Sequence, residues 1–133
     1  MNSIRASSFL RRVLLVDAVA SGAMGLGLIA FTELFARVLQ LPAQLLNEAG
    51  LVLLPFAAFV GYVASREMPA RFAVWAIIGL NAIWVVDSVV LLFTGWVAPN
   101  ALGYAFVLAQ AGFVAVFADL EYVGLKKSVA LAA

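Results

Sequence analysis

Four long apolar stretches without lysine or arginine limit what this chain can fold into: residues 13–31, 49–64, 72–97 and 101–118. Crossing ~30 Å of hydrocarbon as a helix takes ~20 residues. Each stretch is near that length, the second once the helical residues before it are added. In lipid every backbone N–H and C=O needs a partner inside the protein, which leaves only helices or a closed barrel. Barrel strands alternate polar and apolar residues over ~10 positions, and these stretches do not. The sequence therefore predicts an all-α membrane protein, four transmembrane helices in an up-down bundle forming one domain over residues 1–133.

Composition agrees. Of 133 residues 66% are hydrophobic and 11% charged, with a mean hydropathy of +1.12. Soluble domains are about 25% charged, and so few charges cannot cover a globular surface of this size. The chain has no histidine and no cysteine. That removes haem ligation, the usual zinc and copper sites, iron–sulfur clusters, dithiol redox chemistry and histidine-based triads. Met1, Met24 and Met68 are too scattered for a soft-metal cage, and the only lysines, Lys126 and Lys127, follow the last stretch. A net charge of +1 gives no field to attract nucleic acid. The expectation is a non-enzymatic protein with no cofactor, no metal and no nucleic-acid partner.

Basic residues set the orientation, because lysine and arginine are retained on the cytoplasmic side. Arg5, Arg11 and Arg12 precede the first stretch, Arg66 and Arg71 separate the second and third, and Lys126 and Lys127 follow the fourth, leaving Arg37 alone on the other side. Both termini are expected in the cytoplasm of a bacterial cell, with the protein in the inner membrane and residues 119–133 as a cytoplasmic tail. The first stretch is long, contains Asp17 and lacks a small-residue cleavage site, so it reads as a retained span rather than a signal peptide.

Residues 33–48 have a different pattern. Glu33, Arg37, Gln40, Gln44 and Asn47 recur at helical spacing, with Leu34, Val38, Leu41 and Leu45 on the opposite side. This predicts a short amphipathic interfacial helix to about Gln40, then a turn at Pro42 that starts the helix entering the second span. Trp75 and Trp96 lie ~31 Å apart along a helix and are expected to anchor the third span at both interfaces. Trp84, midway between them, should face the bundle so that its indole N–H finds a partner, by packing or by stacking on a ligand. Small residues mark two faces suited to close helix approach, one with Gly22 and Gly25 in the first span and one with Ala105 and Ala109 in the fourth.

Polar side chains within the spans carry the most information, since a mid-helix aspartate costs about 2.5–3.5 kcal/mol to insert. Asp17, Ser21, Asn81, Asp87 and Gln110 are the candidates for a proton or ligand path, or for interhelical hydrogen bonds that fix register. No cation lies at the depth of Asp87, so Gln110 or a backbone carbonyl is its expected partner. Asp17 could instead pair with an arginine from the flanking segments.

The segments Arg11–Asp17, Leu53–Phe56, Asn81–Ser88 and Leu102–Gln110 resemble motifs of a group of small proteobacterial four-span integral membrane proteins, a likeness that implies architecture and location but no activity. An acidic residue in the first span is also similar to the small multidrug transporters, which are four-helix dimers, although the amphipathic connector and Asp87 depart from their pattern. The leading functional expectation is an accessory or assembly subunit in the lipid bilayer, packing against other membrane subunits or a second copy of itself. The alternatives are a small proton-coupled transporter or proton-conducting protein using Asp17 and Asp87, and a lipid- or quinone-binding protein with its site near Trp84.

Overall fold

The computed structural model describes residues 3–130. In chain order the elements are β1 (Ile4–Arg5), α1 (Ser8–Ala30), α2 (Thr32–Leu39), α3 (Ala43–Ser65), α4 (Arg71–Leu91), α5 (Ala101–Lys127) and β2 (Val129–Ala130). Four of them, α1, α3, α4 and α5, are long and apolar enough to cross a membrane.

The helix ends follow local chemistry. Ser7 caps α1 by accepting from the Leu10 N–H, and Asn100 caps α5 by accepting from the Gly103 N–H at 2.8 Å. Side-chain oxygens of this kind satisfy N–H groups that a helix leaves unpaired in its first turn. Gln40 ends α2 in the left-handed region (φ 54°), and Pro42 stands immediately before α3. Several boundaries differ from the sequence expectation: α1 begins at Ser8 rather than 13 and α3 at Ala43 rather than 49. The third span stops at Leu91 rather than continuing to 97, because Thr94 and Gly95 turn the chain, Gly95 with φ +80°. The fourth helix runs nine residues past 118, to Lys127, so most of the expected tail is helical.

The helices pair as two hairpins. α1 packs most extensively on α3 and α4 on α5; α1 also meets α5, while α3 and α4 barely touch. Glycine permits a close approach of α1 and α3: a Cβ on Gly50 would lie 2.8 Å from Ile29 and 2.9 Å from the Gly25 carbonyl oxygen. Gly25 therefore lies on a packing face, and Gly22 comes within ordinary contact distance of Ala57. The other expected face points elsewhere. Ala105 and Ala109 lie on the outside of α5, which turns Gly103, Val107, Ala111, Glu121 and Gly124 inward instead.

One end of the bundle gathers the two terminal segments and the α3–α4 link. β1 pairs antiparallel with β2, the Ile4 and Ala6 N–H groups donate to Pro69 and Glu67, and Ser7 donates to the Gly124 carbonyl. Arg5, Arg11, Arg12, Arg66, Arg71, Lys126 and Lys127 all fall at this end. Arg37 lies on α2 at the other end, where the Asn100 side chain donates to the Val38 carbonyl at 2.9 Å. On α2 the packed residues are Phe35 and Leu39, with the Phe35 ring 6.1 Å from Phe106. Leu34 and Val38, on the apolar side expected of an interfacial helix, are exposed, and α2 rests on both α3 and α5. Trp75 stacks near Tyr122 at the basic end, and Trp96 stands exposed in the link at the opposite end.

The surface differs from that of a water-soluble protein. Leu15, Val19, Leu26, Phe72, Ile83, Phe93 and Phe113 point outward, while Asp17, Asn81 and Glu121 are buried. Such a surface suits lipid rather than water. Two apolar clusters, one around Leu10, Leu14, Val60 and Ile77 and one around Leu28, Leu46, Leu53 and Val107, lie on either side of this polar layer along the helices.

Candidate functional site

Helical register builds the polar layer. Asp17 continues the buried positions Leu10 and Leu14 on α1, Asn81 continues Val74 and Ile77 on α4, and Glu121 shares a face with Gly124 and Leu125 on α5. The three side chains meet where these faces converge. The Asn81 amide nitrogen donates to Asp17 Oδ2 at 3.0 Å and to Glu121 Oε1 at 2.8 Å. Ser21, one turn beyond Asp17 on the same helix, donates to Asp17 Oδ1 at 3.0 Å. Glu121 Oε2 is buried without a hydrogen-bond partner.

A second polar set lies farther along α4 and α5. The Trp84 indole N–H donates to Gln110 Oε1 at 2.8 Å, and the Gln110 amide donates to Ser88 Oγ and to the Val107 carbonyl. The Ser88 hydroxyl in turn donates to the Trp84 carbonyl. Gln110 is thus the partner of Trp84 and Ser88, not of Asp87 as expected from depth alone. Nor does Asp17 pair with an arginine: Arg11 donates to the Ala64 carbonyl and Arg66 lies over the Tyr62 ring.

Because α3 and α4 separate, a cleft of about 660 Å³ opens among the four long helices, within the ~300–1,000 Å³ range of small-molecule sites. Its walls are mostly apolar, including Met24, Leu28, Leu53, Phe106 and Phe117. Asp17, Ser21, Glu48, Trp84, Asp87, Ser88 and Gln110 supply its polar groups. Asp87, six residues beyond Asn81 on α4, is exposed and lines this space.

The hydrogen-bond inventory of the cleft is one-sided. The side-chain donors of Ser21, Ser88, Trp84 and Gln110 are all committed within the protein. Acceptors remain. Among the described residues the Asp87 carboxylate has no side-chain partner, and Glu48 uses only Oε1, for Gln44. Among the described residues no lysine or arginine lines the space. A cleft with spare acceptors and no spare side-chain donors is complementary to a group that brings its own N–H, O–H or positive charge.

Sequence reasoning missed Glu121, which was expected in a solvated tail. A signal was present: Glu121 lies in helical register with Gly124 and Leu125 and precedes Lys126 and Lys127, whose long stems let a membrane helix extend to the headgroups. Comparison of the chain with protein-family models, curated proteins and solved structures finds no match.

Proposed function

We propose that this is a small multi-pass membrane protein that binds a membrane-dissolved amphiphile in the cleft between α3 and α4, with the ligand's cationic or hydrogen-bond-donating head toward Asp87 and its apolar body along Met24, Leu53 and Phe106. The unequal supply of acceptors and donors on the cleft walls carries this reading. It disfavours a quinone, whose carbonyls need donors, and an anionic headgroup, which would meet only carboxylates. The seven basic residues at the end with both termini support a cytoplasmic side for that end, which would leave α2 near the headgroups of the opposite leaflet.

The test uses a Trp75→Phe, Trp96→Phe protein in maltoside micelles, leaving Trp84 as the sole tryptophan. A long-chain amine should change Trp84 fluorescence saturably, at lower concentration than an alcohol or sulfate of equal chain length. Asp87→Asn should weaken the amine response about tenfold, the equivalent of ~1.4 kcal/mol. Equal responses to all three headgroups would contradict the assignment.

A second reading, an accessory subunit or homo-oligomer, draws on the outward face of α5. Ala101, Ala105, Ala109 and Gly112 are exposed there, and a Cβ at Gly112 would meet nothing within 4 Å. Close packing against another membrane helix needs such a face. Ala109→Leu should then abolish a complex captured by crosslinking in membranes, without lowering the stability of the chain itself.

A further inference from the structure

We infer that Asp17, Asn81 and Glu121 form a proton-binding site that holds one proton between the two carboxyl groups at neutral pH, independently of what occupies the cleft.

Both carboxyls, Glu121 fully buried and Asp17 2% exposed, accept from the same amide nitrogen. With both ionised, two negative charges would have only neutral donors, the Asn81 amide shared between them and the Ser21 hydroxyl on Asp17, in a medium that penalises each of them. Buried polar atoms in folded proteins almost always have a partner, yet Glu121 Oε2 has none. One proton relieves both conditions: it halves the charge and turns an orphaned acceptor oxygen into a hydroxyl that can donate.

Among the described residues no cation is placed to do this instead; Arg66, at the end of α3, lies over the Tyr62 ring. From α1, Arg11 is committed to the Ala64 carbonyl and Arg12 is exposed. From α4 the facing group is the neutral Asn81, ten residues (~15 Å) from Arg71. The charges of α2, Glu33 and Arg37, lie at the other end of the bundle. On α5 itself, Lys126 sits over the Tyr122 ring and Lys127 over the Phe9 ring, and Asp119 is exposed. No third acidic side chain completes a metal-binding group among the described residues. Access runs through Asp17 and Ser21, which belong to the cluster and also line the cleft.

Infrared difference spectroscopy of the full chain in lipid vesicles tests the assignment. A protonated-carboxyl C=O band is expected at neutral pH, in sodium-containing and sodium-free buffer alike. Glu121→Gln should abolish it, Asp17→Asn should shift it as the proton's neighbour changes from carboxylate to amide, and Asp87→Asn should leave it unmoved. The Asp17→Asn shift decides the matter if Glu121→Gln does not fold. Absence of the band in the native protein, a band unmoved by both cluster substitutions, or a band present only without sodium would each overturn the proposal, the last by making this a sodium site.

Discussion

Asp17 on α1 and Glu121 on α5 accept hydrogen bonds from the same Asn81 nitrogen, so one amide joins three of the four long helices. Replacing that amide with a group of similar size but no donor would strip two buried carboxyls of their common partner. Asn81→Leu is expected to destabilise the protein by about 2 kcal/mol, the range for hydrogen bonds to charged groups, measured by reversible unfolding in mixed micelles. The half-buried Trp84–Gln110 bond should matter less: Gln110→Leu should cost nearer ~0.6 kcal/mol, the average for interhelical hydrogen bonds in a membrane.

This three-helix junction also marks how far the sequence could be read. The four long helices were legible because unbroken apolar length has no other outcome in lipid. Asp17 and Asn81 stood out as buried polar groups, but their union depends on how far each helix slides and tilts, which linear depth does not encode. Glu121 was hidden because the apolar run ends at Ala118 while the helix continues to Lys127. Trp96 was assigned to a helix that ends earlier, since one turn at Thr94–Gly95 interrupts an otherwise apolar stretch. The cleft could not be foreseen, as it arises from two helices failing to meet.

The α1–α3 contact depends on the absence of a side chain at Gly50. Gly50→Ala would bring a methyl within 2.8 Å of Ile29 and 2.9 Å of the Gly25 carbonyl, and backbone atoms cannot yield without moving the helices apart. A loss of about 1–3 kcal/mol is expected, as for other overpacked sites. Gly112→Ala, with nothing within 4 Å of the new Cβ, should stay within ~0.5 kcal/mol of the native protein. The same unfolding measurement checks both.

Asn100 has two duties, capping α5 through Oδ1 and holding the end of α2 through Nδ2. Asn100→Ala is expected to cost about 1 kcal/mol for the cap alone. It should also raise amide hydrogen exchange in residues 36–40, because α2 loses a tether. Asn100→Ser should recover most of the cap and leave the faster exchange in α2.

On this reading four helices cross a bilayer, with the α3–α4 link and both terminal segments on one side and the α4–α5 link on the other. The natural chain has no cysteine, so single cysteines can be introduced at Met68, Trp96 and Ser128 and exposed to a membrane-impermeant thiol reagent in sealed, oriented vesicles. Met68→Cys and Ser128→Cys should label from one face and Trp96→Cys only from the other; labelling of Met68→Cys and Trp96→Cys from the same face would contradict the account.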